Sequence, residues 1–154
     1  MKDPYALTRK EELELKMLWL DRLEKQTRTK GGQLKFYVIE IGGAKIGVPD
    51  VYFVLNGRTG WLEFKVCSNI EVPVVKYEPG QRVELRDLRA RGVFSATVAI
   101  TSGMDFIVAA PPRVLCNTTS DKFDLNKAPV RIKGEIDAAY DALEWMLDRF
   151  YKEN

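Results

Sequence analysis

A chain of 154 residues, 45% hydrophobic and 30% charged, has the size and composition of one soluble globular domain with a real core. Its formal net charge of +2 is too small to argue for a polyanionic partner, so only local clustering of basic residues can do so. Histidine is absent, which excludes Ser-His-Asp and Cys-His nucleophiles and histidine-built zinc sites, and leaves carboxylates, lysine and a hard cation for hydrolytic chemistry.

The opening stretch MKDPYALTRK lacks the apolar run of a signal peptide, and no apolar run approaches the roughly 20 residues of a membrane span. A cytoplasmic location is therefore expected, in the host cell if the source is viral. Residues 7–25 read as an amphipathic helix. Thr8 and Glu11 have capping-box spacing, Leu15, Trp19 and Leu23 recur at intervals of four, and Leu13, Met17 and Leu20 widen the stripe. The basic, glycine-containing residues 26–33 break that pattern, and residues 34–41 read as a strand rich in Phe, Tyr, Val and Ile. Gly42, Gly43 and Gly47 punctuate a loop. Two strands follow, 50–55 and 60–66, joined by the turn Asn56-Gly57-Arg58-Thr59.

Residues 67–78 form an irregular connection holding Pro73, and Pro79 suits the first turn of a helix over residues 80–91 that Gly92 closes. Cys67 and Cys116 read as reduced, unpaired thiols, and Asn117-Thr118-Thr119 as a chance glycosylation sequon. Residues 93–100 and 106–110 are β-like, residues 111–133 read as a long polar loop, and residues 134–152 as a last helix with Ile136, Tyr140, Leu143, Leu147 and Phe150 on one face. The order α-β-β-β-α-β, with a strand and a helix appended, describes a single α/β domain.

The chemistry concentrates in Pro49-Asp50 and Glu63-Phe64-Lys65. With residues 56–59 as the hairpin loop, Leu55 pairs with Gly60, Asp50 falls opposite Lys65, and Tyr52 falls opposite Glu63. Alternation then sets Asp50, Glu63 and Lys65 on one face, beside Tyr52, Val54 and Trp61. The carboxylates become diagonal neighbours, roughly 7–8 Å apart at the backbone. Val51, Phe53, Leu55, Leu62, Phe64 and Val66 occupy the other face as an apolar set fit for a core. A surface ion pair would use the same residues. Two acids in a partly covered cleft, however, are costly without a cation. Mg²⁺ or Mn²⁺ held by Asp50 and Glu63 would acidify water and polarise a phosphate, and Lys65 could orient the attacking water or steady the transition-state charge.

In this order, Pro-Asp followed by Glu-x-Lys resembles the signature of the PD-(D/E)XK nuclease superfamily, and more narrowly the virus-type replication-repair (VRR-NUC) nucleases. The resemblance spans about residues 12–100 and implies a restriction-endonuclease-like core, here with an added C-terminal helix. It implies that Glu12, followed by Leu15, Trp19, Leu20 and Leu23, supplies a further acid, that the Phe64 carbonyl touches metal, and that Gln81 supports the site. The connection 67–78 departs from the family pattern. The resemblance further implies a DNA endonuclease acting on branched DNA such as a Holliday junction, in viral or phage replication, recombination or repair. Small members of that family are homodimers.

On residues alone, Gln81 shares a helix face with Leu85 and Leu88, and either a site role or a local cap would satisfy it. Arg82, Arg86 and Arg89 form a stripe on the same helix, and Lys25, Arg28 and Lys30 crowd the loop after the first helix. Both groups are candidates for phosphate contacts, and equally for solvated faces. Two other functions remain open: a non-catalytic nucleic-acid-binding or assembly protein on the same fold, and a nuclease acting on RNA.

Overall fold

The computed structural model describes residues 9–39, 48–111 and 122–153. The expected cap Thr8, the loop glycines Gly42, Gly43 and Gly47, Cys116 and the sequon lie outside these residues. In chain order the elements are α1 (Arg9–Thr29), β1 (Leu34–Val38), β2 (Val51–Leu55), β3 (Arg58–Val66), β4 (Val74–Lys76), α2 (Gln81–Ala90), β5 (Phe94–Ile100), β6 (Asp105–Ala109), β7 (Lys122–Asp124), β8 (Arg131–Glu135) and α3 (Ala139–Glu153). Short 3-10 turns at Leu125–Lys127 and Ile136–Ala138 precede β8 and α3.

Six strands form one sheet in the order β1-β2-β3-β5-β6-β8, and β4 pairs with β7 in a two-stranded ribbon. The β3–β5 pairing is parallel, with α2 as the crossover, and the other pairings in the large sheet are antiparallel. α1 and α3 cover one face. There Trp19, Leu20 and Leu23 from α1 and Leu143, Met146, Leu147 and Phe150 from α3 meet Val51, Phe53, Leu62, Phe64, Phe94 and Phe106 in the main core. The stripe is narrower than its sequence suggests, since Leu13 and Met17 are exposed. α2 lies on the opposite face, where Leu85 closes a second cluster with Val75, Tyr77, Ala99, Ile107 and Leu125.

Several expectations need correction. The first helix continues to Thr29, so Lys25 and Arg28 are helical, each salt-bridged one turn back to Asp21 and Glu24. The extension has a packing reason. Thr27 is buried, and Gln26 donates to the Ile136 carbonyl at 2.9 Å while accepting from the Tyr140 N–H at 2.8 Å, tying α1 to the start of α3. Described residues of the expected 111–133 loop hold β7, a 3-10 turn and the beginning of edge strand β8. α3 accordingly starts at Ala139, with Gly134 and Glu135 still on β8. The connection 67–78 contains β4.

The hairpin register also differs. Only Asn56 and Gly57 form the turn, both with positive φ (51° and 81°), as a two-residue hairpin of the tightest type requires. Leu55 therefore pairs with Arg58 and Val51 with Leu62. The slip from the expected pairing is two residues, so no side chain changes face. The turn is clamped from outside the sheet. Arg58 bridges Glu144 and Asp148 on α3, and Asn56 donates to the Tyr140 hydroxyl and Glu144. Gly60 allows close packing here, because a Cβ would come within 2.6 Å of the Phe94 ring.

Candidate active site

With the hairpin registered at Val51↔Leu62, Asp50 at the foot of β2 falls beside Glu63 on β3. Asp50 is held by its own hairpin: its Oδ2 accepts from the Phe64 N–H at 3.0 Å. Glu63 is 2% exposed. One of its oxygens, Oε1, accepts from Gln81 Nε2 at 2.9 Å and lies 3.8 Å from Lys65 Nζ. The other, Oε2, is buried without a hydrogen-bond partner among the described residues. Burial raises the Glu63 carboxyl from 4.5 to about 8; the neighbouring negative Asp50 adds to the rise and Lys65 opposes it.

Lys65 donates to Gln81 Oε1 at 2.7 Å, and its ammonium sits 5.5 Å from the centre of the Tyr77 ring. Gln81 Oε1 also accepts from the Glu78 N–H at 2.8 Å. This one side chain therefore braces the turn that precedes its own helix, holds Lys65 and binds Glu63. α2 begins after Gly80, which is in the left-handed conformation and supplies no side-chain cap.

Tyr77 is a site residue that sequence reasoning passed over. It is buried under α2, its hydroxyl shares a 2.6 Å hydrogen bond with Thr97, and burial pushes its phenol up to about 12. Val75 and Tyr77 are buried and Val74 and Lys76 exposed, a period-two burial pattern that the apolar Val74 hides in the sequence.

Asp50, Glu63, Lys65 and Gln81 are thus brought together. Glu12 is exposed in the first described turns of α1, and among the described residues no three or more His, Cys, Asp or Glu side chains are grouped to hold a cation. The basic residues are dispersed. The Arg82 guanidinium lies over Phe123 at 5.1 Å, and Arg86 pairs with Asp87 at 3.5 Å. Arg89 donates to the Ser95 carbonyl at 2.9 Å and lies over Phe94 and Phe150. Lys25, Arg28 and Lys30 are exposed at the far end of α1 from Glu12.

The donor set suits a hard divalent cation. Two adjacent carboxylates with one oxygen lacking a partner among the described residues, in a site walled by a lysine and a tyrosine ring, form an incomplete polar arrangement that an oxygen-seeking ion would complete.

No protein-family model and no curated protein sequence matches the chain. Among solved structures it is similar to Hjc, a Holliday junction resolvase from the archaeal hyperthermophile Archaeoglobus fulgidus. The TM-score is 0.53 at 13% sequence identity, over 80% of this chain and 98% of that one. At that identity the likeness is one of fold. This chain has a resolvase-like mixed α/β core, its sheet flanked by helices and followed by a C-terminal helix.

Proposed function

We propose that the protein is a divalent-metal-dependent nuclease that hydrolyses phosphodiester bonds in DNA and prefers branched structures such as a four-way junction. The observation carrying this reading is the buried Glu63 carboxylate, with one oxygen unpartnered, beside Asp50 and within reach of Lys65 on one hairpin face. The resemblance to PD-(D/E)XK nucleases, and within them VRR-NUC, supports the catalytic assignment, and the fold shared with a Holliday junction resolvase supports the substrate class.

Asp50, Glu63 and the Phe64 carbonyl would hold Mg²⁺ or Mn²⁺, which supplies Lewis acidity and an acidified water when bound. The Phe64 N–H keeps the Asp50 carboxylate turned toward Glu63. Gln81 pins Glu63 Oε1, leaving Oε2 as the free ligand atom. Lys65, held in place by the Gln81 carbonyl, directs its remaining protons at the reacting phosphate or at the attacking water, where charge grows in the transition state. Glu12 is the proposed further acid, and it acts only if the start of α1 turns it toward the hairpin. The basic residues Lys25, Arg28, Lys30, Arg82 and Arg86 are proposed phosphate contacts that position the strand.

One observation favours a second reading. Only two carboxylates converge among the described residues, fewer than the three acids that the family resemblance implies, which favours a non-catalytic nucleic-acid-binding protein on this fold. Incubating the protein with linear, nicked, flapped and four-way-junction DNA, with Mg²⁺ and with EDTA, separates the two. Binding of all forms without metal-dependent cleavage of any would support the second reading.

A further inference from the structure

The sheet face that carries the site is not uniform. Over β5, α2 forms a wall: Ser95, the register partner of Trp61, is fully buried and donates to the Leu85 carbonyl. On the other side of Trp61, Tyr52 and Tyr37 continue in a row across β2 and β1, at register positions Tyr37↔Tyr52 and Tyr52↔Trp61. The ring centres are 6.2 Å and 5.2 Å apart, the first pair stacked and the second tilted. Tyr37 is 48% exposed, and Tyr52 and Trp61 are half-buried. Exposed Lys35 shares this face and places its ammonium 5.6 Å from the centre of the Tyr37 ring. The row adjoins the acidic site directly. Asp50 precedes Tyr52 by two residues and Glu63 follows Trp61 by two, roughly 7 Å along each strand.

We infer that Tyr37, Tyr52 and Trp61 form a stacking track for unpaired nucleobases that leads a DNA strand to the Asp50–Glu63–Lys65 site. Closing the core does not require these rings, because the core of these strands lies on the opposite face. Flat π surfaces flanked by a cation match a base and its phosphate. Bases inside a duplex have no free face to offer, so the occupant is a nucleotide unstacked at a branch point, flap or bulge. The inference rests on the nuclease reading for the identity of its ligand as DNA, and it narrows that reading to substrates with exposed bases.

The test is fluorescence anisotropy in EDTA with a labelled duplex bearing a single-stranded thymidine tail or an equally long tail of abasic sites. The two probes carry the same phosphates and differ only in bases. The wild type is expected to bind the thymidine tail at least about fivefold more tightly, the lower end of what one stacked base contributes. Trp61→Ala and Tyr52→Ala should remove most of that preference and Trp61→Phe should keep most of it; Tyr37→Ala, at the exposed end, serves if the inner variants do not fold. Equal affinity of the wild type for the two tails overturns the inference. So does an undiminished preference in folded alanine variants, or light scattering that shows a wild-type dimer made monomeric by Trp61→Ala, which would assign this face to a second copy of the chain. Because no metal is present, a protein that never cleaves DNA still gives a decisive result on the track.

Discussion

Glu63 carries the strongest perturbation in the site, and its sign makes a prediction. Its carboxyl is raised from 4.5 to about 8, chiefly by burial and then by Asp50. A group whose folded value lies above its unfolded one contributes stability that is full below the unfolded value and is lost as pH rises through the folded value. The metal-free protein should therefore lose thermal stability between about pH 4.5 and 8, a slope that Glu63→Gln removes, as melting curves in EDTA would measure. A flat wild-type profile, or a slope retained in the variant, would contradict the burial argument. Lys65 makes a different prediction. Because Gln81 holds its compact ammonium at 2.7 Å, a planar guanidinium cannot take the same place, and Lys65→Arg should cut turnover at least about tenfold with DNA affinity little changed. Wild-type kcat in that variant would reduce Lys65 to a structural charge. At this scale much was legible. Asp50, Glu63 and Lys65 can be picked out from residue type and spacing, Gln81 is added by the family resemblance, and the four do converge, whereas Tyr77 was hidden in a stretch too short to show its period clearly.

Among the elements, the β2–β3 hairpin determines whether the site exists. Its integrity depends on a turn with positive φ, on the clamp from Arg58 to α3, and on the missing Cβ at Gly60. Gly60→Ala should destabilise the fold by about 1–3 kcal/mol, because the aromatic rings of Phe94 and Phe53 must shift to admit a methyl. Chemical denaturation with an unchanged midpoint would show that the rings move freely. The same hairpin shows how register can be misread without harm. Asn-Gly marks a two-residue turn, and reading four loop residues instead displaces the pairing by two, a slip that preserves which residues face the core. β8 was not legible, for a physical reason. As the sheet's edge it exposes Arg131, Lys133 and Glu135, and Ile132 is its one large apolar residue, so it lacks the hydrophobic alternation that reveals strands.

For the whole molecule, the apolar face of α3 is already buried in its own core, so an assembly cannot use it. The exposed large hydrophobic residues of α3 are Trp145 and Tyr151, the latter beside Arg58. We expect a homodimer if the protein acts on a two-fold symmetric junction, since two active sites must then meet opposing strands. Light scattering at micromolar concentration, alone and with junction DNA, checks this, and a one-to-one complex would contradict it. The α/β class and the amphipathic face of α1 could be read from apolar periodicity. The second cluster under α2 could not, because it is assembled from short pieces of β4, β5, β6 and the 3-10 turn at Leu125–Lys127.

The central claim is that Asp50 and Glu63 hold a divalent cation that makes the hairpin a phosphodiesterase. Single-turnover cleavage of a labelled four-way junction, in Mg²⁺ and in EDTA, by wild type and by folded Glu63→Gln and Asp50→Asn variants tests it most directly. The account predicts cleavage by the wild type in Mg²⁺ alone, and a loss of several orders of magnitude in either variant. Cleavage in excess EDTA, or at the wild-type rate by either variant, would contradict it.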